Sequence, residues 1–269
     1  MQPLVVVPTY NEIANIEPLL TAILAIAPTI HVLVVDDGSP DGTGDCAEQI
    51  AARTHRVRVM HRSGKLGLAT AYIAGFRYAL AQGYDRIVQM DADFSHRPED
   101  LPRLLALSTR ADVVIGSRNI PGGRAENWSP LRHVISKGGS LYARMLLGLP
   151  IKDCTSGFKC FRREALATID LERVASNGYG FQVEMNYLCY RAGLRFAEAP
   201  IVFPDRTAGR SKMSGSIVSE AATVVWRLRR EAPHAVPGRA RSLAPLPVAR
   251  AATASVDTLP SPVIEVARR

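Results

Sequence analysis

Two aspartates separated by one residue, Asp91 and Asp93, are the residues of this chain best suited to chemistry. They follow an apolar run at residues 86–90, which is predicted to be a buried strand. Side chains two residues apart in a strand point to the same side, so both carboxylates can bind one hard divalent cation through oxygen. A solvated turn that caps a helix after Pro98 is the simpler interpretation of the same pattern.

A second acidic pair, Asp36 and Asp37, follows another apolar run at residues 31–35. The remainder of that loop is typical of a turn, with Asp41 or Thr43 capping the next helix. Turn chemistry does not account for Asp37, whose carboxylate is placed to accept a hydrogen bond from a hydroxyl or a base N–H. We therefore interpret Asp37 as a contact to a ribose or a nucleobase.

Short apolar runs alternate with amphipathic segments along the first half of the chain. This alternation predicts an α/β fold with a mostly parallel sheet flanked by helices. In such sheets the ligand lies beyond the carboxyl ends of the strands, which is where both acidic pairs fall. The predicted strands are residues 4–7, 31–35, 57–60, 86–90 and 112–115, and the predicted helices are residues 13–26, 43–53, 68–82 and 98–107.

The composition is that of a globular protein with anionic partners. Hydrophobic residues make up 47% of the chain and charged residues 22%, which excludes a wholly disordered or collagen-like protein. The net charge of +8, carried mainly by Arg, fits ligands that bear phosphate. The four cysteines have no paired spacing, so we expect reduced and mostly buried thiols.

Two segments bear on the organisation of the chain. The longest stretch without charged residues, 18–35, contains Pro28 and His31 and predicts a helix end, a turn and a strand rather than a membrane span. Residues 231–269 lack Phe, Tyr and Trp and are rich in Pro, Ala and Arg, so they are predicted to be a disordered tail. The catalytic unit would then be residues 1–230.

The order of the motifs resembles that of the family 2 glycosyltransferases, and more closely that of the dolichol- or polyprenol-phosphate mannosyltransferases. The resemblance spans about residues 3–230 and implies the GT-A type of nucleotide-sugar-binding fold. The motifs are residues 8–12 (PTYNE), 35–43 (VDDGSPDGT), 67–72 (GLATAY), 90–98 (MDADFSHRP), 116–118 (GSR), 153–159 (DCTSGFK), 178–184 (GYGFQVE) and 206–212 (RTAGRSK).

The resemblance implies where a donor and a metal bind. Asp91 and Asp93 match the family's metal-binding Asp-x-Asp motif, Ser95 lies near the third ligand position, and the metal would be Mg²⁺ or Mn²⁺. The implied donor is GDP-mannose. The residues that match its binding positions are Pro8, Tyr10, Glu12, Val35, Asp37, Ala92 and, in a loop expected to order over the diphosphate, Arg206 and Lys212.

The resemblance also implies an acceptor, a polyprenyl (dolichyl-type) monophosphate whose phosphate would be received by Arg118, Arg132 and Ser136. A phosphate oxygen would displace GDP at the anomeric carbon in one inverting step and give a β-linked mannosyl lipid. Because the phosphate is already anionic, catalysis would rest on alignment and charge stabilisation rather than on a general base. The expected catalytic residues are therefore Asp91, Asp93, Arg118 and Arg132.

Two positions depart from the pattern of the family. Ser95 is a weaker metal ligand than an amide or a carboxylate. Ala69 stands where relatives often have Gly, a change that favours the helix beginning there. His96 is not needed as a base, and we expect it to pack or cap beside the metal loop.

Residues 130–149 combine apolar side chains with basic ones. They fit an amphipathic helix that faces the core and is broken at Gly138-Gly139, or a helix at the bilayer surface that guides the polyprenyl chain. Residues 215–230 are a second candidate for a surface helix. Both interpretations stay open.

The main alternatives fail on motif grounds. A dinucleotide-binding dehydrogenase would need GxGxxG after the first strand, and a P-loop kinase would need a glycine at Walker spacing before Gly64-Lys65. A phosphorelay receiver does not explain the second Asp of the Asp-x-Asp pattern. The runner-up is a polyprenyl-phosphate glycosyltransferase that uses another nucleotide sugar, such as UDP-glucose.

The expected surroundings follow from a lipid acceptor and a chain without a predicted span. We expect peripheral binding at the cytoplasmic face of a membrane, a separate membrane-embedded partner protein and no nucleic acid.

Overall fold

A computed structural model describes residues 1–205 and 215–231 of the chain. Arg206 and Lys212 lie outside the described residues, and so does the predicted tail from residue 232 onwards. The strands are β1 (Pro3–Thr9), β2 (His31–Asp36), β3 (Val57–His61), β4 (Arg86–Gln89), β5 (Val113–Ser117), β6 (Arg124–Ala125), β7 (Lys159–Arg162), β8 (Phe196–Pro200) and β9 (Val202–Phe203).

Seven of these strands form one sheet in the order β3-β2-β1-β4-β7-β5-β8, while β6 and β9 form a small parallel pair. The predicted strands of the first half of the chain all occur. One strand breaks the parallel pattern, because β7 runs antiparallel between β4 and β5. Its amino end therefore lies at the same edge as the carboxyl ends of its neighbours.

Eight α-helices lie in the described part of the chain. They are α1 (Ile13–Ile26), α2 (Thr43–Ala51), α3 (Leu68–Ala81), α4 (Leu101–Leu107), α5 (Pro130–Leu147), α6 (Arg163–Ala167), α7 (Gly178–Arg191) and α8 (Gly215–Glu231). A 3₁₀ turn at Pro98–Asp100 precedes α4, so the helix predicted over residues 98–107 begins with a tighter turn. No helix among the described residues has the length and apolarity that a membrane crossing requires.

The expected break of α5 at Gly138-Gly139 is wrong, because the helix is continuous through both glycines. Ser129 caps its amino end, where the hydroxyl accepts a hydrogen bond from the backbone N–H of Arg132, and Gly148 in the left-handed conformation (φ 69°) caps its carboxyl end. A glycine inside a helix costs only about 1 kcal/mol. Packing of α5 against α8 stabilises the uninterrupted helix.

The core lies on both faces of the sheet. Alternate residues of β1 point to opposite sides, so Leu4 and Val6 join the layer under α3, α5, α7 and α8, while Val5 and Val7 join the layer under α1, α2 and α4. Burial on both faces is what the continuous apolar runs of the sequence predict.

Candidate active site

The polar strand ends meet at one edge of the sheet. Asp37 follows β2, Asp91 follows β4 and Arg118 follows β5, and the sheet order places them in that sequence across the edge. The residues just before Lys159 lead into antiparallel β7. They therefore lie at the same edge, between the positions of Asp91 and Arg118. A donor site on the Asp37 side would thus be joined to a cationic site on the Arg118 side.

The loop that carries Asp91 and Asp93 is held in one shape. Phe94 lies in the left-handed region (φ 58°), which lets the backbone N–H and hydroxyl of Ser95 both donate to Asp93 Oδ1, the former at 3.1 Å. The hydroxyl of Tyr72 donates to Asp91 Oδ1 at 2.6 Å. Burial, and then the Asp91 carboxylate, raise the pKa of Tyr72 well above its usual value, so this phenol stays a donor.

His96 packs beneath the loop, as expected from the sequence. It is buried, its ring stacks on Phe158 with centroids 5.0 Å apart, and its Nδ1 accepts a hydrogen bond from the backbone N–H of Asp91 at 2.9 Å. An accepting Nδ1 carries no proton, so the neutral ring has its proton on Nε2. His96 thus supports the position of Asp91.

The donor atoms at this loop fit a hard divalent cation. Asp91 is partly exposed, Asp93 is nearly buried, and their oxygen ligands suit Mg²⁺ or Mn²⁺. No third His, Cys, Asp or Glu joins them among the described residues. A cation held by two carboxylates usually completes its shell with substrate phosphate oxygens, and the Ser95 hydroxyl lies against Asp93.

Asp37 lies in the donor half and is already held by the protein. Arg62 Nη1 lies 3.1 Å from its Oδ1, and the backbone N–H of Leu66 donates to its Oδ2 at 3.1 Å. Both the Asp37 and Arg62 side chains are nearly buried. The contacts fix the carboxylate toward the loop at residues 62–67, which borders the candidate nucleotide site.

Asp36 has a structural role instead. Its Oδ1 accepts from the hydroxyls of Thr9 and Ser39 at 2.9 and 2.6 Å, which joins the loop after β2 to the end of β1. The other candidate donor residues lie along the same loops: Pro8 next to Val35 in the paired strands, Tyr10 with Lys65 Nζ 4.3 Å from its ring centre, Glu12 at the start of α1, and Ala92 between the two aspartates.

Arg118 is bound by a carboxylate that the sequence did not single out. Its Nε and Nη2 donate to the two oxygens of Asp153 at 2.8 and 2.7 Å, and its backbone N–H donates to the same carboxylate at 2.9 Å. Burial opposes ionisation of Asp153, but the Arg118 charge and hydrogen bonds outweigh it and lower the pKa of the carboxyl. The guanidinium also contacts the rings of Trp128 and Phe203, 5.3 and 5.1 Å from their centres.

Arg132 and Ser136 lie close to Arg118 across the same tryptophan. Arg132 stacks on Trp128 at 4.0 Å and forms an ion pair with Asp205 at 2.6 Å. Ser136 and Arg118 both line a cavity of about 120 Å³ that includes Trp128. The structure thus brings the three candidate phosphate residues together, around an aromatic residue that the sequence had not indicated.

A larger cationic cleft of about 460 Å³ opens beside this cavity. The four cations that line it come from the end of β5, from α5 and from the loop that follows α5: Arg118, Lys137, Arg144 and Lys152. No carboxylate lines the cleft among the described residues. A cleft lined by four cations and no described carboxylate is suited to a multiply charged anion. The spacing of Lys137 and Arg144 on one helical face was the sequence feature that could have indicated it.

Comparison with known proteins agrees with this arrangement. Residues 4–170 match the family described as Glycosyl transferase family 2. The chain belongs to glycosyltransferase family 2. It is 52% identical to undecaprenyl-phosphate mannosyltransferase from Micrococcus luteus over 227 residues (84% of this chain, 93% of the relative). It is 48% identical to polyprenol monophosphomannose synthase from Mycolicibacterium smegmatis over 230 residues (84% and 87%).

Solved glycosyltransferases share the fold of this family 2 chain. A mannosyltransferase from Pyrobaculum calidifontis, solved with GDP-Man and Mn²⁺, aligns with a TM-score of 0.60 at 20% identity, covering 87% of this chain and 65% of that one. Glucosyl-3-phosphoglycerate synthase from Mycobacterium tuberculosis aligns at 0.58 and 20% identity, covering 87% and 81%. The GT-A fold expected from the sequence is confirmed.

Proposed function

We propose that this chain transfers mannose from GDP-mannose to a polyprenyl monophosphate in a metal-dependent, inverting reaction. Its relatives at 52% and 48% identity, an undecaprenyl-phosphate mannosyltransferase and a polyprenol monophosphomannose synthase, are the observation that carries the proposal. The product would serve as a sugar donor for mannosylation of glycolipids or glycoproteins. Transfer of another sugar, such as glucose from UDP-glucose, is not favoured by these relatives.

The donor is proposed to lie along the Asp37 half of the edge, with its diphosphate at Asp91 and Asp93. These two carboxylates, with Ser95 beside them, would hold Mg²⁺ or Mn²⁺, which when bound neutralises charge on the leaving diphosphate. Pro8, Tyr10, Glu12, Val35 and Ala92 border that half of the edge. Arg206 and Lys212, outside the described residues, are proposed to contact the diphosphate.

The acceptor phosphate is proposed to bind on the Arg118 half, with Arg132 and Ser136. Asp153 binds the Arg118 guanidinium, and Trp128 contacts the guanidinium groups of both arginines, so the cations keep their places before the substrate arrives. Preorganised cations of this kind orient the attacking oxygen and stabilise its charge without reorganising during the reaction. The phosphate oxygen then forms the bond to the anomeric carbon as the bond to GDP breaks.

The lipid acceptor implies contact with a membrane, and α5 supplies a suitable surface. Leu131, Val134, Leu141 and Met145 share one face of the helix, and between 52% and 69% of each side chain is exposed. Lys137 and Arg144 lie on the same helix, and Trp226 of neighbouring α8 is 53% exposed. Exposed apolar residues beside basic ones favour an interfacial helix. We infer that this surface touches the bilayer.

Two further parts of the proposal concern the setting of the reaction. We propose that the chain binds at the cytoplasmic face of the membrane and works with a separate membrane-embedded partner protein. Binding at a membrane rests on the lipid acceptor, and the partner rests on the resemblance, because some polyprenol-phosphate mannosyltransferases rely on a separate membrane subunit. Cross-linking in membranes of the native host tests for the partner.

Transfer itself is tested by mixing the protein with polyprenyl phosphate in vesicles, Mg²⁺ and radiolabelled nucleotide sugars. Label should move from GDP-mannose into an organic-extractable lipid phosphate, and NMR of the product should show the β anomer. Label supplied by UDP-glucose but not by GDP-mannose would contradict the donor assignment. Full activity in the presence of a chelator would contradict metal dependence.

A further inference from the structure

A lysine that has no carboxylate partner among the described residues is buried in the sheet beside the active-site edge. Lys159 begins β7 and is 0% exposed. Its Nζ donates to the backbone oxygen of Gln182 at 3.0 Å and to the side-chain Oε1 of the same residue at 2.8 Å. No ion pair to a described carboxylate accompanies these bonds. Burial lowers the pKa of Lys159 to about 7. Burying this amine therefore lowers the free energy of unfolding, a loss that a methionine at this position would avoid.

The contacts of Lys159 decide which way the Gln182 carboxamide faces. Oε1 accepts from Lys159 and also from Gln89 Nε2 at 2.9 Å, and all three residues are at most 4% exposed. Both atoms contacted by Nζ are oxygens, which only accept, so the amine donates in either protonation state. When the amine is protonated it has donors only, so turning the amide over would set Nε2 against Nζ, two donors facing each other. The other end of the amide, Nε2, must therefore point away from Lys159.

That other end lies near the Asp91 carboxylate, which is proposed to bind the metal. A methyl group built on Gly157 would lie 3.4 Å from Gln182 Nε2, 3.6 Å from Asp91 Oδ2 and 3.3 Å from His96 Cε1. Gln182 Nε2 and Asp91 Oδ2 thus border the same small space beside Gly157. A donor N–H there is next to the position where the leaving diphosphate is proposed to lie.

The sheet order identifies the part of the substrate nearest to this N–H. Strand β7 lies between β4, which leads to Asp91, and β5, which leads to Arg118. The transferred hexose must lie between the donor diphosphate and the acceptor phosphate, hence over the amino end of β7. Gln182 approaches this position from the start of the second turn of α7.

From this geometry we propose that Lys159 is a positioning residue, which orients the Gln182 carboxamide so that its N–H donates a hydrogen bond to the hexose of the bound nucleotide sugar. The inference rests on the proposed function for the place of the donor. Gln182 would contact the substrate, whereas Lys159 would act only through Gln182. This positioning role would account for the presence of a buried amine that lowers the stability of the fold.

The test compares binding of GDP-mannose with binding of GDP, by calorimetry with Mg²⁺ and without acceptor. Loss of one hydrogen bond should weaken GDP-mannose binding about 3- to 10-fold in Lys159→Met and Gln182→Met, while GDP binding stays within about 2-fold of wild type. Steady-state kcat/KM should fall about 10-fold or more, because the bond holds the sugar during transfer. Cys160→Ala, the next residue along β7 and part of the opposite core layer, is the matched control and should keep the wild-type preference.

The double variant separates action through Gln182 from a general effect on the fold. Lys159→Met combined with Gln182→Met should bind GDP-mannose no more weakly than Gln182→Met alone, because residues that act as a unit are not additive. Gly157→Ala offers an independent route, since its methyl group enters the space between the N–H and Asp91 while β7 is unchanged. It should also weaken GDP-mannose selectively.

Three results would overturn the proposal: an unchanged ratio of GDP-mannose to GDP affinity in Lys159→Met, an equal loss of both ligands, or additive effects in the double variant. If Lys159→Met does not fold, unchanged selectivity in Gly157→Ala and Gln182→Met overturns it. A wild-type protein that binds GDP-mannose but transfers nothing to polyprenyl phosphate contradicts the proposed function, and the binding comparison still tests the role of Lys159.

Discussion

The guanidinium of Arg118 and the carboxylate of Asp153 form a bidentate pair in a buried position, with N–O distances of 2.8 and 2.7 Å. The pair joins the end of β5 to the loop that leads into β7. It also holds an arginine that lines both cavities of the proposed acceptor side. Stability and acceptor recognition therefore depend on the same contact.

Replacing Asp153 by Asn should destabilise the protein by roughly 3–5 kcal/mol, because it leaves the Arg118 charge buried without its partner. Denaturant unfolding measures the change, and acceptor KM should rise in whatever fraction remains folded. The matched control is Glu172→Gln, which breaks the exposed pair with Arg77 and should cost about 1 kcal/mol or less. Equal costs for the two variants would contradict the importance of burial.

Asp91→Asn and Asp93→Asn should each lower transfer about 100-fold or more, because these carboxylates are proposed to hold the cation that neutralises charge on the leaving diphosphate. Binding of Mn²⁺, followed by the paramagnetic resonance of the free ion, should weaken in parallel. Asp45→Asn, an exposed change in the first turn of α2, should leave both properties intact. Mn²⁺ binding that is unchanged in both variants would exclude these aspartates as ligands.

Val134→Ser combined with Met145→Ser should reduce co-sedimentation with anionic vesicles by about 10-fold, because two exposed apolar side chains are lost from the face of α5. Ile13→Ser is the matched control, since Ile13 is 45% exposed on α1, which covers the opposite layer of the core. If both variants lose binding equally, α5 is not the membrane surface.

Gly75→Ala should destabilise the fold by about 1–3 kcal/mol, as an added methyl group would lie 2.3 Å from Val6 Cγ1 where α3 packs on β1. Val6→Ala in the same chain should recover part of that loss by making room. Gly138→Ala in α5, where an added methyl group meets nothing within 4 Å, should instead be neutral or stabilising. Thermal unfolding distinguishes the three outcomes.

The stability difference between Lys159→Met and wild type should depend on pH. Burial lowers the pKa of Lys159 from 10.5 to about 7, so the unfolded chain binds more protons between these values and wild-type stability rises with pH there. The penalty of the buried charge is complete below about pH 7 and disappears near the unfolded pKa. Lys159→Met should therefore gain most stability at low pH. A constant difference from pH 6 to pH 10 would show that Lys159 does not titrate in this range.

The sequence alone determined the alternation of strands and helices and the place of the chemistry at strand ends. Both are local properties, since an apolar run marks a buried strand and the residues after it fall at the carboxyl edge of a parallel sheet. Asp37, Asp91 and Arg118 could therefore be assigned to one site from their positions along the chain. The series of motifs further indicated the family, which the comparisons confirmed.

Only the tertiary structure decided which partners these residues have. Strand β7 is short and antiparallel, and its place between β4 and β5 depends on hydrogen bonds between distant parts of the chain. Arg118 pairs with Asp153, 35 positions away along the chain. Lys159 donates a hydrogen bond to Gln182, 23 positions away. No local periodicity encodes such contacts, because they arise when the core excludes water and each buried polar group must find a partner.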